Sequence, residues 1–242
     1  MTVKEFCRLP VWYPLLEKYT FPTRFVPVTP EAEALISRGN AGENLKLLPI
    51  SDLMARLKNE LEYIPGNAFA SVDCCAPTDT ERFQLKKGAT YSARSTFRNL
   101  ASSEKVRSAA ERGEISFIAL RPFRNMSKPR EFRLFINGGK LVAMSQYHLI
   151  RHFRRLEGIK EKLWREAVQF VESIADILPQ EPLVMDIYFT AGGKIMIVDF
   201  NEWGAPTDPL MLKTWDRDWT EIAGIVLMAP PVKMSGDVQV SF

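Results

Sequence analysis

LVMDIYFTAGGKIMIVDFN, residues 183 to 201, holds two apolar runs separated by the pair Gly192-Gly193. Short runs rich in Ile, Val, Tyr and Phe read as strands, and paired glycines supply the positive φ values of a two-residue turn, so the segment predicts a β-hairpin. With Gly192 and Gly193 at the turn, cross-strand partners sum to 385 and Asp186 lies directly opposite Asp199. Side chains alternate along a strand, so Asn201 projects from the same face as Asp199. Like charges opposite one another destabilise a sheet. A divalent cation held by these hard oxygen ligands would offset them, and Mg²⁺ combines one or two carboxylates with waters and phosphate oxygens. Three other arrangements would serve: one aspartate faces solvent, a Lys or Arg from elsewhere pairs with the carboxylates, or a three-residue loop shifts the register by one and separates them.

Upstream, EFRLFIN (131 to 137), Gly138-Gly139 and KLVAMSQ (140 to 146) repeat the hairpin signature. The same arithmetic puts Glu131, Arg133 and Phe135 on one face with Val142, Met144 and Gln146, where the charges either flank a ligand or pair on a solvated face. Between the hairpins, Leu163, Ala167, Phe170, Val171, Ile174, Ile177 and Leu178 form a stripe of helical period, predicting a helix over 157–178 stopped by Pro179. The order is hairpin, helix, hairpin.

The first third is punctuated by proline and predicts helices over 30–38, capped by Thr29, and over 51–62, where Leu53, Leu57 and Leu61 recur. Residues 66 to 122 read as short strands and loops ending in a buried strand, Ile115 to Leu120. Arg121 follows it and precedes Pro122; its planar fork suits a phosphate or a carboxylate, or a structural cap. The run HLIRHFRRLE (148 to 157) spaces His148 and His152 by one helical turn beside three arginines, which reads first as a solvated helix face and second as an anion contact.

Composition bounds the function. Among 242 residues, 32 basic against 29 acidic side chains give a formal charge of +3, which indicates neither a nucleic-acid nor a membrane binder. With 46% apolar and 25% charged residues the chain supports a packed core. No apolar run approaches membrane-spanning length, and MTVKEFCRLPVWYP lacks the layout of a signal peptide. Cys7, Cys74 and Cys75 are odd in number and two are adjacent, so a reducing cytoplasm is expected rather than a disulfide framework. Two histidines without ligand spacing exclude a structural zinc site, and the absence of G-x-S-x-G argues against a serine hydrolase.

The order of CRLPVWYP, CAPTD (75 to 79), LRPF (120 to 123), EFRLF (131 to 135), LVAMSQ (141 to 146), DIYF (186 to 189) and DFNEWG (199 to 204) resembles the cell-division-cycle-123 family almost end to end. That family's pattern runs W-Y-P, F-P-K-L-N-W-S-A-P-K-D, L-R, E-F-R, I-S-Q-R, D-V-Y and D-F-N-P-F. The resemblance implies an α+β, ATP-grasp-like fold of two lobes with antiparallel sheets and flanking helices, divided into residues 1–122 and 123–242, with a nucleotide cleft between them. It implies ATP and Mg²⁺ as cofactors, the metal on Asp186, Asp199 and Asn201. Ile118, Ala119 and Leu120 would line the adenine, and Arg121, Glu131, Arg133 and Asp79 would complete the nucleotide site.

Four positions depart from the pattern. Ser71 stands where a phosphate-binding lysine is expected, Thr78 replaces the lysine of S-A-P-K-D, and Ala101 replaces a lysine of a later segment; Lys86, Lys87 or Lys105 would have to supply the missing charge. Glu202 stands in place of proline. The implied activity is ATP-dependent assembly of translation initiation factor two through a protein partner, its gamma subunit or an analogous target. A carboxylate-amine ligase and a scaffold without nucleotide binding are the alternatives.

Overall fold

Proline and hydroxyl caps delimit the first elements of the chain. The computed structural model describes residues 1–39 and 48–231. Thr2 caps α1 (Val3–Phe6) reciprocally with Glu5, and Pro10 opens α2 (Leu9–Leu16). After β1 (Arg24–Pro27), Thr29 caps α3 (Pro30–Ser37), and α4 (Leu48–Glu62) buries Leu53 and Leu57. These two helices lie where the periodicity predicts them.

Beyond β2 (Ala68–Val72) the structure departs from the expected strands and loops. It forms α5 (Glu81–Lys86), β3 (Ala89–Thr90), α6 (Ala93–Ser102) and α7 (Glu104–Glu111) before β4 (Phe117–Pro122). Each helix starts on a hydroxyl: Thr80, Ser92 and Ser103 accept from Phe83, Ser95 and Val106 backbone N–H groups at 3.1, 3.2 and 3.2 Å. The stripe that α6 buries mixes Ala93, Ser95, Thr96, Asn99 and Ala101 with Phe97 and Leu100.

The second half follows its expected order: β5 (Glu131–Asn137), β6 (Lys140–Gln146), α8 (Arg154–Glu157), α9 (Lys160–Ile174), β7 (Leu183–Phe189), β8 (Ile195–Glu202) and a short β9 (Gly224–Val226). The helix expected over 157–178 is interrupted at Gly158, and His148 and His152 precede α8, so their helical spacing is not realised. One sheet has the order β1-β4-β2-β3 and the other β8-β7-β5-β6-β9, antiparallel except where β9 joins β6.

The strands of the two sheets separate between Pro122 and Glu131, but the cores divide elsewhere. Phe6, Leu9, Trp12 and Leu16 from α1 and α2 pack into the core of the second sheet with Phe132, Met185, Phe200 and the buried stripe of α9. Phe6 and Trp12 meet Phe200 edge-on at 5.1 and 5.2 Å. Side chains of this size stabilise by about 1.5–3 kcal/mol each when fully buried.

Both hairpins carry a bulge. In the first, Gly138 and Gly139 at φ +56° and +69° form the expected two-residue turn, but Ile136 pairs with Leu141 and Phe135 with Ala143, leaving Val142 as the extra residue. Arg133 therefore faces Ser145, and Glu131, Arg133 and Phe135 share their face with Val142, Ala143 and Ser145 rather than with Met144 and Gln146. In the second, Thr190 N–H donates to Lys194 O at 2.8 Å across a three-residue loop in which only Gly193 has positive φ, +79°. Near the turn Ile187 pairs with Ile197, one residue off the expected register; Val198 is then skipped, and Asp186 faces Asp199 after all.

Candidate functional site

The strand order places β7 between β8 and β5, so the Asp186 face continues onto the β5–β6 hairpin. Arg133 lies opposite Asp186 on β5. Its Nε and Nη2 donate to Asp186 Oδ1 and Oδ2 at 2.7 and 2.8 Å, and Nη1 donates to Asp208 O at 2.7 Å. Arg133 and Asp186 are 6% and 7% exposed, so this is a buried bidentate pair. Burial alone would lower the arginine pKa; the Asp186 charge and its hydrogen bonds outweigh that and raise it. The Tyr147 ring lies 5.3 Å from the guanidinium, and the charge of Asp186, followed by burial, pushes its hydroxyl pKa upward. Tyr147 reaches this face because of the Val142 bulge, and nothing in its own sequence neighbourhood marks it.

Among the described residues Asp199 has no comparable partner; its Oδ1 accepts only from the Phe200 backbone N–H at 3.0 Å. Burial, reinforced by the Asp186 charge, pushes its carboxyl up to about 7 against the opposing pull of Arg121. Asn201 Nδ2 donates to Asp186 Oδ2 at 3.1 Å, which presents the amide oxygen as the remaining ligand atom. Asp186 Oδ2 thus takes two hydrogen bonds while Oδ1 takes one and keeps a lone pair. Asp199, Asn201 Oδ1 and Asp186 Oδ1 together form an all-oxygen donor set suited to a hard cation such as Mg²⁺. Among the described residues no group of three or more His, Cys, Asp or Glu is arranged to hold a metal. Glu202 follows Asn201 and therefore points to the opposite face.

Arg121 joins the two sheets. Its Nη1 donates to Val198 O, the carbonyl of the bulged residue, at 2.8 Å, and its Nε donates to Thr23 Oγ1 at 3.0 Å. The Trp12 ring lies 5.6 Å away, and Nη2 is buried without an acceptor among the described residues. Burial lowers its pKa to about 10, with Asp199 pulling the other way.

The other predicted positions lie apart from this group. Ile118, Ala119 and Leu120 pair with β1 on one side and β2 on the other, and all three are fully buried, so their backbone groups are consumed by the sheet and offer no edge to a base. Asp79 accepts from Ser103 Oγ at 2.6 Å and from Lys105 N–H at 3.2 Å, anchoring the start of α7; these bonds outweigh burial and lower its pKa. Lys86 is exposed at the end of α5, and Lys87 bonds Asn125 Oδ1. Lys105 Nζ donates to Thr78 Oγ1 at 3.1 Å, which brings an ammonium to one position where the family pattern has lysine. Glu131 Oε1 lies 3.1 Å from His148 Nε2.

Fold and polar face define a mixed α/β protein of two antiparallel sheets, with a buried arginine–carboxylate pair on one sheet beside an unpaired aspartate and an arginine reaching across from the other. A family model described as D123 matches residues 91–223, more than half of the chain, and the chain belongs to that family. It is 34% identical over 107 residues to the "Translation initiation factor eIF2 assembly protein" of Xenopus tropicalis, covering 42% of this chain and 31% of that protein. It is 29% identical over 163 residues to "Cell division cycle protein 123" of Phaeosphaeria nodorum, covering 64% and 39%. The matches span about a third of the length of these curated relatives. C-terminally truncated Cdc123 from Schizosaccharomyces pombe superposes with a TM-score of 0.76 at 17% identity over 92% of this chain and 95% of that one, which shows the shared fold. Among the described residues no helix is long and apolar enough to cross a membrane.

Proposed function

We propose that the chain binds ATP with Mg²⁺ on the Arg133 face and serves as an assembly factor for translation initiation factor two, gripping a protein partner of the gamma-subunit kind. The observation that carries this reading is the unpaired Asp199 carboxylate beside Asp186 and Asn201, an oxygen donor set in need of a cation. Asp199, Asn201 and Asp186 Oδ1 would hold the Mg²⁺, which would neutralise phosphate charge. Lys105 and the free Nη2 of Arg121 would take the phosphate oxygens, in place of the lysines lost at Ser71 and Thr78. Nucleotide bound only to the folded protein stabilises it by ordinary linkage and so holds the gripping conformation. The relatives named as assembly proteins support the partner.

Calorimetry tests the site: ATP with Mg²⁺ binds the wild type, and Asp199→Ala abolishes the Mg²⁺ dependence. Unchanged affinity in that variant sinks the metal assignment. Capture of a purified gamma subunit, with and without ATP, tests the partner. A second reading, a scaffold without nucleotide, is favoured by one feature: Arg133 already neutralises Asp186. Capture that is indifferent to ATP, together with no calorimetric heat, selects it.

A further inference from the structure

A cavity of about 330 Å³ lies between α5 and α6, lined by none of the residues of the Arg133 face. Arg82, Arg94, Arg98 and Asn99 line it, with Glu81 as the one carboxylate. Two of these residues carry donors that lack acceptors among the described residues: Arg82 Nη2 and Asn99 Nδ2 are both shielded from solvent and unpaired. Asn99 is 3% exposed, and its Oδ1 already accepts from Thr80 Oγ1 at 2.9 Å, so the nitrogen is the end of the amide left over. Arg82 is held as firmly, with Nε donating to Ala89 O at 2.7 Å and its guanidinium 5.4 Å from the Tyr91 ring. A buried donor without a partner is costly, and an arriving acceptor removes that cost.

Charge points to the same ligand. Arg94 and Arg98 are exposed and stand one helical turn apart on α6. Within 4 Å, none of the three arginines forms an ion pair with a described carboxylate. Three guanidinium charges against the single carboxylate of Glu81 leave +2 in the cavity. Guanidinium forks match phosphate oxygens in geometry as well as in sign. We propose that this cavity binds the phosphate group of a small anion, either free inorganic phosphate or a phosphomonoester, through Arg82, Asn99, Arg94 and Arg98. The proposal is independent of the nucleotide reading, because the cavity shares none of the residues assigned to ATP and needs no metal.

The test titrates inorganic phosphate, and in parallel glycerol phosphate, into the full chain in Mg²⁺-free buffer. Heat is followed by calorimetry and the Asn99 side-chain amide by proton–nitrogen spectra. Saturable binding with a shift of that amide is expected; tighter binding of glycerol phosphate assigns a phosphomonoester, and equal or weaker binding assigns free phosphate. Arg82→Gln and Arg98→Gln each weaken binding by roughly tenfold, the loss of one charge-assisted hydrogen bond. Arg98 is exposed, so its variant tests the site even where Arg82→Gln fails to fold. Asp199→Ala, which removes the metal site on β8, leaves the phosphate affinity in place. Absence of saturation at millimolar phosphate overturns the proposal, as does binding that survives Arg98→Gln or is lost with Asp199→Ala.

Discussion

The two Gly-Gly hairpins look alike in sequence and differ in construction. The first closes with two left-handed glycines in the expected turn, and its bulge at Val142 then moves Arg133 from the expected Met144 to Ser145. The second closes with one left-handed glycine in a longer loop, which shifts the register, and its bulge at Val198 shifts it back. The pairing of Asp186 with Asp199 thus arises from two deviations that cancel. Remote groups hold both bulges: Val142 O accepts from Ala223 N–H at 2.9 Å, and Val198 O from Arg121 at 2.8 Å. A turn specifies register only as far as the next bulge, and contacts from distant elements stabilise the bulge.

The largest expected effect lies where the hairpins join. Arg133→Met leaves Asp186 charged and buried without its partner and costs about 3–5 kcal/mol by urea unfolding. Adding Asp186→Leu restores most of that loss; a double variant as unstable as the single one would show that the face depends on something other than this pair. Next comes the second bulge. Arg121→Ala removes the donor to Val198 O and costs about 2 kcal/mol, with hydrogen-exchange protection lost locally at residues 197 to 199. Protection unchanged there would mean that the strand keeps its bulge unaided.

Smaller effects follow from charge and from the glycines. The folded pKa of Asp199, about 7, lies above its ordinary value of 3.8, so the folded state binds the extra proton between these limits and loses stability as pH rises through the window. Asp199→Asn therefore stabilises the metal-free protein at pH 8 by about 1–2 kcal/mol, discounted for partial exposure, and by little at pH 4. Thermal melts at the two pH values check the sign. Least costly are the turns: Gly193→Ala costs about 1 kcal/mol, Gly138→Ala with Gly139→Ala about twice that, and Gly192→Ala almost nothing, because only the first three positions have positive φ. Equal costs at Gly192 and Gly193 would restore the two-residue turn.

Much of the site was legible through one periodicity. Alternation put Asp199 and Asn201 on one face whatever the loop, and Gly-Gly pairs located both hairpins to within a residue. The arginine that neutralises Asp186 was not legible as its partner, since the pairing of β5 with β7 joins residues 53 apart in sequence. The three helices between residues 80 and 112 carry little apolar signal in sequence: α5 buries no residue, α6 mixes Ala, Ser, Thr and Asn with Phe97 and Leu100, and α7 buries only Val106, Ala109 and Ala110, so the Thr80, Ser92 and Ser103 caps are the local markers. Ile118 to Leu120 read as a buried strand and are one, paired with β1 on one side and β2 on the other.

Local chemistry, then, was determined by the sequence alone: which residues turn, which alternate toward a core, and which carboxylates share a strand face, all set by backbone sterics and hydrophobic period over a few residues. Tertiary structure decided the partners of those groups. Arg133 against Asp186, Arg121 against the Val198 carbonyl, Lys105 at Thr78 and the α1–α2 helices on the second sheet all depend on strand order and bulges. Those are settled by packing summed over the whole chain, where no short window of sequence carries the deciding free energy.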